Sequence, residues 1–180
     1  MSDHIRLMIP REDIERRVKE LAAQLSEEYA GRTIHMICVL KGGVYFMTLL
    51  SNQIDAGVPV TLDFMSVSSY GDGTSSSGIV RIVKDLDESL EGKDVLLVED
   101  IIDSGRTLYY LLKILRQRQP ASLKICTLLD KPDRRVRDVR VDYTGFEIED
   151  RFVVGCGMDY KQKYRNLPYI GEMVLDEEDK

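Results

Sequence analysis

Apolar residues at helical spacing mark the first of three helices that the sequence predicts. Residues 11–30 have this helical spacing, with Pro10 suited to the first turn and Gly31 to the stop. A second helix is predicted at 44–50, after the glycine pair of an L-K-G-G segment, and a third at 107–118, which ends near a proline. The pattern therefore predicts three helices separated by stretches with a different spacing.

The stretches between these helices are short, apolar runs of strand length. The runs I-H-M-I-C-V-L, V-L-L-V-E and L-K-I-C-T-L-L are nearly continuous, which is typical of strands covered on both faces, as in a parallel sheet. Because strands alternate with helices, the sequence predicts an α/β fold: a mostly parallel, twisted sheet flanked by helices. The predicted strands are 34–40, 60–67, 79–86, 95–99, 123–129, 139–145 and 151–155.

Composition limits the classes of protein to consider. The 180 residues, 43% hydrophobic and 31% charged, fit one domain with its own core. No apolar run approaches the ~18 residues of a membrane span, and the first ten residues lack the pattern of a signal peptide. Cys38 and Cys126 lie in apolar runs and are expected to be buried thiols of a cytoplasmic protein. The net charge of −6 argues against nucleic acid as a partner, and we expect no membrane partner.

The most informative stretch is 95–108, V-L-L-V-E-D-I-I-D-S-G-R-T-L. A strand followed by S-G-R-T and a helix places backbone N–H groups and hydroxyls where they bind an anion such as a phosphate monoester. Glu99 and Asp100 would repel phosphate, but they suit sugar hydroxyls or Mg²⁺. The stretch therefore indicates a site for a phosphorylated sugar. The alternative is a capped helix with acidic residues near its start, which is common.

Three loops of unusual composition follow predicted parallel strands, at 41–43, 100–107 and 130–135. Active sites of such sheets lie beyond the carboxyl ends of the strands, so these loops are expected to converge there. The polar, glycine-rich segment 68–78 connects two predicted strands. We expect it to fold over the same edge of the sheet.

Residues 95–108 resemble the phosphoribosyl-diphosphate (PRPP) signature of type I phosphoribosyltransferases. Further motifs occur in order along almost the whole chain and resemble those of the short, bacterial hypoxanthine(-guanine) phosphoribosyltransferases. They are L-K-G-G (40–43), S-S-Y-G (68–71), L-D-K-P (129–132), F-V-V-G (152–155) and D-Y-K-Q-K-Y-R-N-L (159–167). The resemblance implies one domain, 1–180, with a small hood from about 1–10 and 139–180 over the carboxyl ends of the strands. It also implies Mg²⁺-dependent purine salvage: transfer of the phosphoribosyl group of PRPP to hypoxanthine, and to guanine, by a cytoplasmic homodimer or homotetramer.

The resemblance also implies roles for single residues. Glu99 and Asp100 would hold the ribose hydroxyls, and Asp103 would accept the proton of purine N7. The 5′-phosphate would be bound by Asp103, Ser104, Gly105, Arg106 and Thr107. The pyrophosphate would be bound by a loop of Leu40, Lys41 and Gly42, which in the family often has a cis peptide bond. Arg165 would contact the pyrophosphate from another part of the chain.

The base and the metal complete this set. Lys131 would donate to the purine 6-oxygen, Phe152 would stack on the base, and Val153 would offer backbone groups to its far edge. Asp159 would lie beside the base and bind Mg²⁺, with Glu99 and Asp100 as further metal ligands. Ser69 and Tyr70 would belong to a mobile lid.

Simpler structural explanations exist for several of these residues. Phe152 could be a core residue, Lys131 a surface residue and Asp159 the cap of a turn. The basic run 131–137 could suggest RNA contact, but the sequence favours a solvated or subunit-facing segment. A PRPP-sensing regulator of the same fold is the alternative from another class, and a transferase that prefers xanthine is not excluded. Adenine is disfavoured, because Lys131 carries only donors and would face a 6-amino donor.

Overall fold

The computed structural model describes residues 4–69 and 80–174, which form two β-sheets and three α-helices. Tyr70 and the glycine-rich part of the predicted lid lie outside the described residues. The elements are β1 His4–Ile9, α1 Arg11–Glu28, β2 Ile34–Val39, α2 Gly43–Ser51, β3 Val60–Ser69, β4 Val80–Lys84, β5 Asp94–Ile102, α3 Arg106–Gln117, β6 Ser122–Asp130, a 3₁₀ helix Pro132–Arg134, β7 Tyr143–Glu147, β8 Val153–Val154 and β9 Ile170–Val174.

The main sheet has six strands in the order β4-β3-β2-β5-β6-β7. Strand β4 runs antiparallel to β3, and the other neighbours are parallel. The carboxyl ends of the five parallel strands therefore share one edge of the sheet, called the rim below. The predicted α/β class, with a mostly parallel sheet flanked by helices, is confirmed.

Side chains alternate between two hydrophobic cores on the two faces of this sheet. On β2, Met36 and Cys38 belong to the core that contains Leu25 of α1 and Phe46 of α2. The intervening Ile37 packs in the core that contains α3. Because both faces are covered by helices, nearly every position of the central strands is apolar, which explains the almost continuous apolar runs in the sequence. Of the helices in the described residues, none is long and apolar enough to cross a membrane.

A smaller antiparallel sheet, β1-β9-β8, joins the two ends of the described chain. Residues next to β8 reach the rim, since the carbonyl of Arg151 accepts a hydrogen bond from Nζ of Lys131 at 2.7 Å. The sequence pattern did not predict β1 or β9 as strands. We call this small sheet and the residues next to it the hood below, and its place over bound substrates stays a prediction. One part of the expected hood is different: β7 lies after residue 139 but pairs with β6 in the main sheet.

Two predicted strands near the carboxyl end shift or shorten. The strand expected at 139–145 is observed at 143–147, because Val139 and Val141 pack with the α3 core before the pairing begins. The strand expected at 151–155 is reduced to 153–154, since Gly155 turns the chain with a φ of 101°. Helix α1 ends at Glu28, two residues before the predicted end.

His35 is buried in the main sheet. Its Nδ1 lies 2.7 Å from Oγ1 of Thr61. Burial lowers the pKa of His35, Lys93 lowers it further, and Asp63 and Glu88 oppose the shift. The folded protein therefore binds this proton less tightly than the unfolded chain does.

We predict that His35 makes the protein less stable as the pH falls. Its contribution is complete above the usual histidine pKa of about 6.5 and is lost as the pH falls from there through the lowered pKa of the folded state. His35→Gln should flatten the dependence of Tm on pH in this window, and His4→Gln, at an exposed position of β1, should not. Parallel curves for wild type and H35Q would contradict the prediction.

Candidate active site

A tight turn connects β5 to α3 at the centre of the rim. Gly105 has a φ of 73°, a conformation that glycine adopts readily, and a Cβ there would lie 3.0 Å from Cδ of Arg135. The backbone N–H of Arg106 donates to Oγ of Ser104 at 3.4 Å. The first turn of α3 thus opens at the rim, where its N–H groups can bind an anion.

Two cavities adjoin this turn and meet at Ile101 and Asp103. The first, of about 240 Å³, is lined by Val39, Glu99, Ile101, Ile102, Asp103, Ser104, Gly105, Arg106, Thr107 and Leu108. The second, of about 250 Å³, is lined by Asp100, Ile101, Asp103, Lys131, Phe152, Val153, Met158, Asp159 and Arg165. The structure therefore brings Glu99 and the residues predicted for the 5′-phosphate to one cavity. Asp100 lines the neighbouring cavity, together with the residues predicted for the base.

Glu99 and Asp100 form a partly buried acidic pair between these cavities. Burial raises the pKa of Glu99 well above its usual range, and the charge on Asp100 raises it further. Burial also raises the pKa of Asp100, while the N–H of Ile101, which donates to Oδ1 at 2.9 Å, and the cation of Arg165 lower it. Two crowded carboxylates are suited to hydroxyl donors or to a metal ion.

The loop after β2 approaches this acidic pair with its backbone. The Leu40–Lys41 peptide bond is cis, as in the family that the sequence resembles. A Cβ on Gly42 would lie 1.7 Å from Oδ2 of Asp100, and one on Gly157 would lie 2.0 Å from the carbonyl oxygen of Gly42. Glycine at both positions therefore allows two loops and a carboxylate to meet.

Two cationic side chains, those of Lys41 and Arg165, lie next to the two loops that meet at Gly42 and Gly157. Nζ of Lys41 and Nη2 of Arg165 each donate to Oε1 of Gln162, at 3.3 Å in both cases. Arg165 also forms an ion pair of 2.6 Å with Asp159, whose Oδ2 accepts the backbone N–H of Gln162 at 2.8 Å. The cations predicted for pyrophosphate are thus adjacent, and Asp159 does more than cap its turn.

The base side of the rim combines a buried cation with an exposed aromatic ring. Lys131 is 7% exposed, which contradicts a surface role, and it bonds to the backbone of the hood. Phe152 is 46% exposed, which contradicts a core role, and its ring meets the edge of Tyr160 with centroids 5.7 Å apart. Val153 is buried in β8, so only its backbone can face a ligand.

The predicted lid is described only at its start. Ser69 is the last residue of β3, where its backbone pairs with Val80 of β4. Tyr70 lies outside the described residues. The lid role of these two residues stays a prediction.

Sequence reasoning missed several residues of the site. Ile101 and Met158 line the second cavity, and Gln162 bridges the two cations. Arg134 and Asp150 form ion pairs with Asp103 and Lys131. The basic run 131–137 was the signal in the sequence that could have indicated Arg134. In the structure, Arg134 and Arg135 of this run form ion pairs with Asp103 and Asp130.

The acidic residues fit a magnesium ion that shares its ligands with a substrate. In residues 4–69 and 80–174, no cluster of three or more His, Cys, Asp or Glu side chains is arranged to hold a metal ion. Mg²⁺ usually keeps several waters and takes one or two carboxylates together with substrate phosphates. The crowded pair of Glu99 and Asp100, with Asp159 in the same cavity as Asp100, meets that requirement.

A larger cavity of about 440 Å³ lies elsewhere, between α1, α2 and residues 166–168. Its lining is mainly apolar and includes Tyr45 and Leu49. The acidic pair and the α3 turn are absent from its lining. The chemistry therefore favours the two smaller cavities at the rim.

Gly42→Ala is predicted to weaken PRPP binding without unfolding the protein. Gly42 has the φ and ψ of a right-handed helix, which alanine adopts easily, but the new methyl group must displace the Asp100 carboxylate. We expect the KM for PRPP to rise about tenfold, which corresponds to one lost hydrogen bond to a charged group. Gly57→Ala is the control, since its Cβ would meet only the Asp55 side chain. An unchanged KM in G42A would contradict the close approach seen here.

Comparison with known proteins agrees with this geometry. Residues 10–161 match the family model described as phosphoribosyl transferase domain. The chain is 53% identical over 166 residues to hypoxanthine-guanine phosphoribosyltransferase of Bacillus subtilis, covering 92% of this chain and 91% of that protein. The structure matches a hypoxanthine phosphoribosyltransferase from Staphylococcus aureus with a TM-score of 0.90 and 48% identity, covering 93% of this chain and 90% of that one.

A more distant solved structure holds a ligand. Hypoxanthine phosphoribosyltransferase from Trypanosoma cruzi, in complex with the product IMP, matches with a TM-score of 0.88 and 39% identity, covering 99% of this chain and 97% of that one. The extent of these matches leaves no large part of the chain unaccounted for. The chain therefore belongs to the phosphoribosyltransferase family, and within it to the hypoxanthine(-guanine) phosphoribosyltransferases.

Proposed function

We propose that the chain transfers the 5-phosphoribosyl group of PRPP to N9 of hypoxanthine and of guanine, giving IMP or GMP and pyrophosphate. The observation that carries the proposal is the meeting of two cavities at Ile101 and Asp103. One cavity has an anion-binding turn, and the other has the groups that suit a purine. The names and the ligand of the related proteins support the same reaction.

The first cavity holds the sugar phosphate in this proposal. The turn from Asp103 to Thr107 binds the 5′-phosphate with backbone N–H groups and hydroxyls. Glu99 and Asp100 accept hydrogen bonds from the ribose hydroxyls. These contacts place C1′ near Ile101 and Asp103, where the purine can approach.

The transfer exchanges one bond at C1′ for another. The bond from C1′ to the pyrophosphate oxygen breaks, and N9 of the purine forms the new bond through an oxocarbenium-like state. Lys41 and Arg165 stabilise the charge that develops on pyrophosphate. Mg²⁺ held by Asp159, with Glu99 and Asp100, would supply further positive charge there.

The second cavity selects and activates the base. Lys131 donates to the 6-oxygen, Phe152 stacks on the ring, and the backbone of Val153 meets its far edge. As N9 bonds to C1′, N7 becomes acidic, and the Asp103 carboxylate takes its proton. The lid that begins at Ser69 and includes Tyr70 would exclude water from the reactive cation.

The remaining predictions concern the protein as a whole. We propose one domain with its hood over the rim, no nucleic-acid or membrane partner, and a homodimer or homotetramer, which light scattering would establish. All three cysteines are free and buried, and burial raises the pKa of Cys156 to about 11. Cysteines that are free and not paired in disulfides support a cytoplasmic location.

A spectrophotometric assay with PRPP and Mg²⁺ tests the proposed function. Hypoxanthine, guanine, xanthine and adenine are offered in turn, with EDTA as the control. Nucleotide formation from hypoxanthine that stops with EDTA is the expected result. Turnover of xanthine alone would show that xanthine, and not hypoxanthine, is the substrate. PRPP binding without turnover on any base would identify the protein as a regulator.

A further inference from the structure

Four charged side chains of alternating sign adjoin one another on the base side of the rim. Nε of Arg134 lies 3.0 Å from Oδ1 of Asp103, and its Nη1 lies 3.0 Å from Oδ2 of Asp150. Oδ1 of Asp150 in turn lies 3.3 Å from Nζ of Lys131. The set Asp103, Arg134, Asp150 and Lys131 is called the charge chain below.

The backbone brings the members of the charge chain together. Lys131 immediately precedes the 3₁₀ helix Pro132–Arg134, and the N–H of Arg134 donates to the carbonyl of Lys131 at 3.1 Å. Arg135 donates from Nη1 to the carbonyl of Asp103 at 3.2 Å. Two consecutive arginines therefore contact Asp103, one through its carboxylate and one through its backbone.

The two ends of the charge chain are the groups that our proposed function assigns to one edge of the purine. O6 and N7 are neighbours on that edge, so Lys131 must donate and Asp103 must accept at a fixed spacing. Lys131 is anchored because its side chain is only 9% exposed, whereas the Asp103 side chain is 44% exposed. An exposed carboxylate needs a partner to hold it in one rotamer.

We propose that Arg134 is a positioning residue for the transfer, which holds Oδ1 of Asp103 through Nε and links it through Asp150 to Lys131. The ion pair uses Oδ1, so Oδ2 is the oxygen that takes the N7 proton. Asp150 sets the distance between the two ends of the charge chain by bonding both cations. This inference rests on the proposed function and adds to it a residue that does not touch the substrate.

Arginine is suited to this role by its shape. Its planar guanidinium presents N–H groups in fixed directions, so one side chain can orient two carboxylates at once. A lysine at this position would keep the positive charge but lose the fixed geometry. The comparison of Arg134→Lys with Arg134→Gln therefore separates positioning from charge.

Steady-state kinetics on the full chain tests the inference. We expect Arg134→Gln to lower kcat with hypoxanthine about tenfold, because small misplacements of a catalytic group cost rate, and to leave the KM for PRPP within about twofold. R134K should restore only part of kcat. Arg140→Gln is the matched control, since Arg140 is 90% exposed and lies 3.7 Å from Asp142. Tm should change little in R134Q, because the Arg134 side chain is half exposed.

A double-mutant cycle with Asp150→Asn tests the link to Lys131. Residues that act through one network have non-additive effects, so R134Q with D150N should lose little more kcat than the more impaired single variant. Wild-type kcat in R134Q, full recovery in R134K, or additive losses in the double variant would each overturn the inference and leave the proposed function standing. A wild-type protein without turnover overturns both.

Discussion

Asp103→Asn is expected to lower kcat by ~10²–10⁴-fold, the usual contribution of a general base. The amide has nearly the same shape as the carboxylate but cannot take the proton of N7. The 5′-phosphate is bound by the backbone and hydroxyls of the following turn, so PRPP affinity should stay within about threefold of wild type. Single-turnover kinetics and calorimetric titration with PRPP measure the two quantities separately.

The stability of this variant should change little. Its lost ion pair with Arg134 joins two side chains that are about half exposed, and exposed ion pairs contribute little to stability. Asp133→Asn provides the control, because Asp133 is an exposed acid on the adjacent 3₁₀ helix. If D103N lost PRPP affinity and kcat to the same extent, Asp103 would bind the sugar phosphate and would not be the base.

The fold was predictable wherever packing leaves a local pattern. The apolar runs of β2, β5 and β6 are visible in the sequence because each strand is covered on both faces. The hood strands β1 and β9 leave no such pattern. The two strands pair with each other although they lie near opposite ends of the chain, as in the contact of Arg6 with Glu172. A pattern read from neighbouring residues cannot reveal such long-range pairing.

The candidate site was likewise predictable only where its residues are close together in the sequence. Residues 99–107 are contiguous, so their chemistry could be inferred before the fold was known. Phe152 and Lys131 could be assigned only by resemblance. The exposure of Phe152 and the burial of Lys131 contradict the core and surface explanations, and their contacts with the base stay a prediction. Arg134 and Asp150 could not be predicted, since their role depends on which side chains the 3₁₀ helix and the hood bring into contact.

The acidic pair Glu99 and Asp100 also lowers the stability of the ligand-free protein. Glu99 and Asp100 are crowded in a partly buried place where burial raises the pKa of each, so their negative charges are unfavourable in the folded protein without a ligand. Sites that need such groups are often less stable than their surroundings. Removing one of these charges should therefore raise the stability of the ligand-free protein and weaken the binding of PRPP.

Glu99→Gln is the variant that shows this opposition most clearly. Without ligand at neutral pH, we expect its Tm to rise by at least ~2 °C, since removing a buried charge favours folding and ~1 kcal/mol shifts Tm by about this amount in a domain of this size. The same change should weaken PRPP binding by ~10²-fold, because hydrogen bonds to the charged carboxylate are lost.

The sign of the pH effect follows from the raised pKa of Glu99. The folded state holds the proton of Glu99 more tightly than the unfolded chain does. Its stabilising effect is thus present below the usual pKa of about 4.3 and is lost as the pH rises through the raised value. The Tm advantage of E99Q should therefore grow as the pH rises and shrink toward acid pH.

Differential scanning calorimetry across this pH range, with and without PRPP and Mg²⁺, measures both effects. Saturating ligand should stabilise the wild type and should stabilise E99Q much less, so that the order of the two Tm values reverses. Glu91→Gln is the control, because Glu91 is exposed in the loop before β5. A lower Tm for ligand-free E99Q would show that Glu99 supports the fold, and equal stabilisation of both proteins by PRPP would remove Glu99 from the sugar site.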